Sequence, residues 1–254
     1  MRLAAFLFFI FLLACNPPAP QTVVAPEKTG TLLPPVADTA ESAPAPQPAF
    51  YSALEQQLLD SGLVDLQKLD SAIAVDLRYS TTDNFMKMDL YGDFTHAFLQ
   101  PDIAERFLKA QEELRKRHPG YSLIIYDATR PMHIQRRMWD TLDMPARERQ
   151  KYLSNPAHGG SLHNYGAAVD VSILDDQGVP LDMGTPYDYF GEKAHPVLEK
   201  AMLDSGELSL QQVHNRQLLR EVMRKGGFWG IQTEWWHFNA CTRDSAMVRY
   251  RLVE

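Results

Sequence analysis

Cysteine is nearly absent. Only Cys15 and Cys241 occur in 254 residues, which excludes a zinc site built on thiolates, because such sites need several. Long apolar runs are missing too. The run over 3–14 holds twelve residues, short of the roughly 20 that a helix needs to cross a bilayer. Basic charge is in deficit: 25 Lys and Arg stand against 32 Asp and Glu, a formal net charge of −7. A mildly acidic chain with no basic stripe is a poor partner for nucleic acid. No internal repeat is visible.

What the N-terminus does contain is a cation, Arg2, then the apolar run, then Ala14 and Cys15. That order reads as a secretory signal, and Leu12 to Cys15 resembles the bacterial lipoprotein signal, in which the cysteine is acylated. The expected organisation is a signal peptide over 1–14, then the lipidated Cys15 with a Pro/Ala-rich tether over 15–48, then a domain over 49–254. Proline, alanine and few charges keep a tether from burying enough surface to order itself. Export and a lipid anchor in a bacterial membrane follow, with Asn16 after the cysteine favouring the outer membrane facing the periplasm. The anchor leaves Cys241 without a disulfide partner, and it reads as a buried apolar residue.

Within 49–254, Ser52 and Glu55 have the spacing of a capping box and predict a helix ending near Gly62. Alternation predicts a strand over 73–77. Pro101 opens a long helix to Arg117, with Ile103, Phe107, Ala110 and Leu114 on one face. A strand over 123–126 runs into Asp127, and Pro131 sets Arg130 at a strand-to-helix junction. A strand over 166–172 places Ala167, Val169 and Val171 on one side and Asp170 on the other. Helices over 195–204 and 209–225, a loop over 226–230 anchored by bulky side chains, and late strands over 233–239 and 247–252 complete an α+β domain, with helices flanking a mainly antiparallel central sheet.

Alone, His163 and Asp170 read as a hydrogen-bonded structural pair and His237 as a core histidine. Together, two imidazoles and one carboxylate leave the fourth corner of tetrahedral zinc open, the arrangement of catalytic sites. Glu234, three residues before His237, reaches that corner if the chain is turned there, and a carboxylate suits a general base. Arg130 can donate to a developing oxyanion, or pair with Asp127.

These residues resemble the D-alanyl-D-alanine dipeptidase family, zinc enzymes grouped with lysostaphin-type, D-Ala-D-Ala carboxypeptidase and hedgehog-like sites. The shared pattern is matched by Ser161, His163, Gly166, Ala168 and Asp170, and then by Glu234, Trp236 and His237. Asp76 to Phe85, the Asp127–Pro131 element and the segment from Met183 to Asp188 are similar to the dipeptidase branch. The resemblance implies one zinc per chain and a hedgehog/D-Ala-D-Ala peptidase-like fold. It implies Arg130 as transition-state stabiliser and Asp188, with Ser161, as binder of the free amino group of a small D,D-dipeptide. The lipid anchor departs from the family's soluble members. It keeps in play a D,D- or L,D-carboxypeptidase acting on peptidoglycan stems, besides a zinc-bearing binding module and a metal-free scaffold.

Overall fold

Five strands order themselves around the longest of them. The computed structural model describes residues 51–254; the signal peptide, Cys15 and the tether lie outside the described residues. Ala49–Glu254 clusters as one compact unit. The elements run α1 (Ala53–Asp60), β1 (Val64–Asp65), α2 (Leu66–Leu69), β2 (Ala74–Val75), β3 (Phe98–Leu99), α3 (Pro101–Arg117), β4 (Ser122–Asp127), α4 (Met132–Thr141), α5 (Ala146–Arg149), β5 (Ala168–Leu174), α6 (Glu199–Ser205), α7 (Leu210–Lys225), β6 (Trp229–Gly230), β7 (His237–Asn239) and α8 (Arg243–Arg249). The main sheet has the order β2-β4-β5-β7-β6, and β1 pairs with β3 separately. In the main sheet β2 runs parallel to β4 and the other neighbours are antiparallel. The fold is therefore α+β with a mixed sheet flanked by helices. Among the described residues no helix is long and apolar enough to cross a membrane.

Local chemistry explains the helix ends. The Ser52 hydroxyl accepts from the Glu55 amide at 3.2 Å, and the Glu55 carboxylate accepts from the Ser52 amide at 2.7 Å. Those two bonds satisfy amides that α1 itself leaves unpaired. Pro101 supplies a fixed φ at the first turn of α3, and Arg115, Lys116 and Arg117 sit at its negative C-terminal end. The apolar stripe of α3 is wholly buried against Leu123 and Ile125 of β4, Val169, Val171 and Ile173 of β5, and Leu219 and Val222 of α7. The long helices thus pack on a face of the sheet. This burial, at about 25 cal/mol per Å² of apolar surface, is the main force holding α3 in place.

The opposite side of β5 is where the site lies. Ile125 pairs with Val171, but Asp127 pairs with Asp170, so β4 slips by one residue between them. Register partners point to the same face of a sheet. The bulge therefore turns Asp127 from the helix-covered face toward that of Asp170.

Two expectations are corrected. Residues 247–252 are not a strand. α8 occupies Arg243–Arg249, opened by Thr242, whose side chain accepts from the Ser245 amide. Met247 and Val248 are 56% and 88% exposed. In the 226–230 segment Phe228 is buried, but Trp229 is 45% exposed and pairs with β7 as part of an edge strand.

Candidate active site

Three local devices bring the ligand candidates together. His163 sits on a 3-10 turn, Leu162–Tyr165, closed by Gly166 at φ +63°. A Cβ on Gly166 would come within 2.8 Å of Leu63 and 3.0 Å of Thr129, so glycine is required for both conformation and space. Asp170 and His237 are direct register partners on β5 and β7. The chain before β7 is bent rather than extended, and strand structure begins only at His237. Glu234 lies in that bent stretch and lines the same cavity as the three ligand candidates.

The donor atoms face each other. His163 Nε2 is 3.2 Å from His237 Nδ1 and 3.4 Å from Asp170 Oδ1, and His237 Nδ1 is 2.9 Å from Asp170 Oδ1. A tetrahedral zinc with bonds of about 2.0–2.1 Å has edges of about 3.3–3.4 Å, close to those separations. The outer nitrogens fix the tautomers. His163 Nδ1–H donates to the Ala128 carbonyl at 2.7 Å, and His237 Nε2–H donates to Asn239 Oδ1 at 2.9 Å. Both rings then turn lone pairs toward the Asp170 carboxylate. Such a set repels itself unless a cation lies between its members, which is what fits it for a metal. In the ion's absence a proton on His237 takes the place of that cation, and the titration of the cluster shows it. Burial alone would raise Asp170, yet His163 and His237 hold its carboxyl far below the ordinary value. Burial alone would lower His237, yet Asp170 raises it to about 9. His163, Asp170 and His237 form a cluster capable of coordinating a metal ion.

Supporting residues that the sequence did not disclose complete the frame. Tyr187 donates to Asp170 Oδ2 at 2.9 Å. Arg130 is buried and forms the salt bridge to Asp127 that was its alternative role, yet it also lines the cavity. Its Nε and Nη2 donate to Asp127 and its Nη1 donates to Gln135 at 2.9 Å, which leaves two of the five guanidinium N–H groups. Its ring-facing side lies over Tyr79, 5.0 Å from the centroid. Asn164 staples the two motif loops, because its Nδ2 donates to the Arg130 carbonyl at 2.7 Å and its Oδ1 accepts from the Ser161 amide at 2.6 Å. Replacing Asn239 with alanine is expected to weaken zinc affinity by about 10–100-fold, the usual cost of losing an outer partner of a metal-bound histidine. Chelator competition measures it.

The acids around the cluster are poised differently. Burial pushes the Glu234 carboxyl above its ordinary range. His237 and His163 oppose that push, and the charge of Asp170 adds to it. Asp188 is pushed well above its ordinary range, by burial first and by Asp170 second. Its carboxylate meets the Tyr79 hydroxyl at 3.3 Å and the Phe85 amide at 3.4 Å. A raised carboxyl favours folding below the unfolded-state value, about 3.9 for aspartate, and that advantage is lost as pH rises through the folded-state value. Asp188→Asn is therefore expected to raise the melting temperature by several degrees at pH 7.5, with the gain shrinking toward pH 4. Asn tolerates the φ of +60° found at Asp188, so calorimetry at the two pH values isolates the charge.

Ser161, Arg130, Asp188, Glu234 and the three donors all line one cavity of about 320 Å³. Two imidazoles and a carboxylate, open on one side to a peptide-sized cavity with an acid beside them, define a zinc metallopeptidase centre. A family model described as D-ala-D-ala dipeptidase (Peptidase_M15) matches residues 60–250. The chain is 32% identical over 176 residues to a D-alanyl-D-alanine dipeptidase of Escherichia coli strain K12, covering 69% of this chain and 83% of that one. It is 25% identical over 194 residues to a D-alanyl-D-alanine dipeptidase of Enterococcus faecium, covering 71% and 92%. A solved LD-carboxypeptidase, LdcB, aligns with a TM-score of 0.36 and 17% identity over 59% of this chain and 63% of its own, too remote to bear on function. The chain belongs to the D-Ala-D-Ala dipeptidase family.

Proposed function

We propose that this enzyme hydrolyses the free dipeptide D-alanyl-D-alanine to two molecules of D-alanine. The observation that carries the reading is the convergence of the three donors, Glu234, Arg130 and Asp188 on one cavity of about 320 Å³, at the low end of the range of about 300–1,000 Å³ for small-ligand pockets. His163, Asp170 and His237 would hold one zinc, which when bound supplies Lewis acidity to the scissile carbonyl and to a water.

Glu234 takes a proton from the attacking water. As the new C–O bond forms, Arg130 donates its remaining N–H groups to the oxyanion. Glu234 then passes the proton to the amide nitrogen, the C–N bond breaks, and the second alanine leaves as a neutral amine. Asp188, with Ser161 nearby, holds the ammonium of the first residue. An acid kept desolvated in the absence of substrate is well prepared for a cation, because the incoming charge relieves its burial cost. Export and lipid anchoring through Cys15 belong to the same proposal and would place the activity at a bacterial membrane.

A panel of L,L, L,D and D,D dipeptides, free and acetylated at the amino end, tests the assignment. Cleavage of free D-Ala-D-Ala with little turnover of its acetylated form is expected. Faster cleavage of the acetylated form would instead make the enzyme a D,D-carboxypeptidase.

A further inference from the structure

The cavity wall holds two arginines, and they differ in their partners. Arg130 is neutralised by Asp127. Arg243, the first residue of α8, lines the same cavity and is half-buried. Among the described residues its side chain donates to the His158 carbonyl and forms no ion pair. The loop lies close beneath it: a Cβ on Gly159 would come within 3.1 Å of Arg243 Nη2 and 3.4 Å of the Tyr165 hydroxyl. A cavity-lining guanidinium with no carboxylate beside it is available to pair with an incoming anion.

A peptide with free ends carries one charge of each sign. Asp188 lies with Tyr79 and Phe85, whereas Arg243 opens α8, four residues after Asn239 at the end of the strand that supplies His237. We infer that Arg243 binds the free C-terminal carboxylate of the substrate, and so restricts the enzyme to peptide bonds one residue from a free C-terminus. The planar guanidinium offers two parallel N–H groups to a carboxylate. A C-terminal amide brings no charge to it, and an extended C-terminus brings none near it. The inference rests on the reading of this cavity as a peptidase site, but not on what group the substrate carries at its amino end.

The test uses the full chain and four substrates: D-Ala-D-Ala, its C-terminal amide, and the N-acetylated form of each. Wild type is expected to favour carboxylate over amide by about 100-fold in kcat/KM, the scale of a hydrogen bond to a charged group. Arg243→Gln should reduce that preference to a few-fold, chiefly by raising KM for the carboxylate substrates. Arg243→Lys, which keeps the charge, should restore part of it and shows that the fold tolerates change at this position. The assignment is overturned if Arg243→Gln slows carboxylate and amide substrates equally, or if wild type shows no preference. Faster cleavage of the acetylated pair would remove the dipeptidase reading, while the carboxylate-to-amide ratio within that pair still decides the role of Arg243. A wild-type enzyme inactive on all four removes both.

Discussion

Glu234→Ala is expected to lower kcat by about 10²–10⁴-fold, the range associated with positioned acid–base groups, while zinc content and KM stay close to wild type. The structure separates this residue from the ligand cluster. Glu234 is not among the grouped donor atoms of His163, Asp170 and His237, so its removal leaves the ion's ligands intact. It lines their cavity, and its carboxyl is raised by burial. The sign of the pH effect follows. A general base works deprotonated, so activity falls as pH drops through its pKa, and a raised pKa moves the acid limb of kcat/KM above the ordinary glutamate value of about 4.3. Glu234→Gln keeps the shape and removes the basicity, and should lose both the rate and that limb. Steady-state kinetics across pH, with metal analysis of the same samples, reads all of it. Full activity in either variant would assign the proton transfer elsewhere.

Asp170→Ala is expected to abolish stoichiometric zinc binding and to reduce activity by about 10⁴-fold or more, because a Lewis-acid centre cannot act without its ion. Asp170 is the hinge of the cluster. One oxygen lies within 2.9 Å of His237 Nδ1 and 3.4 Å of His163 Nε2, and the other accepts from Tyr187 at 2.9 Å. Its loss leaves His163 and His237 with no negative charge between them and the Tyr187 hydroxyl without its acceptor, a further cost of about 1–3 kcal/mol. The melting temperature should fall as well. Metal analysis and differential scanning calorimetry separate the two consequences, since added zinc cannot restore the first.

How much of this was legible in the sequence depended on how local each cause is. α3 begins at Pro101 and ends at Arg117 as its terminal signals indicate, and the capping box at Ser52 and Glu55 forms. Both arise from residues within a turn of each other. The ligand candidates were legible as motifs because residue type alone limits who can hold zinc. Their supports were not. The partner of His163 Nδ1 is the carbonyl of Ala128, 35 residues away, and Tyr187 reaches Asp170 from 17 away. The β4 bulge that turns Asp127 toward Asp170 has no residue signature of its own. Asn239 was within reach, since a polar side chain two residues after a histidine ligand on a strand faces the same way. The 247–252 segment misled because its apolar residues Met247 and Val248 are exposed on a helix and not buried in a sheet, whereas Thr242, three residues before Ser245, marks the start of α8.

Zinc-edge X-ray absorption on residues 49–254 reconstituted with zinc tests the centre most directly. One ion per chain is predicted, held by two imidazole nitrogens and one carboxylate oxygen at about 2.0–2.1 Å. That shell should be unchanged in Glu234→Ala and lost in Asp170→Ala. Zinc well below one per chain, or a two-imidazole shell that survives the removal of His237, would contradict it.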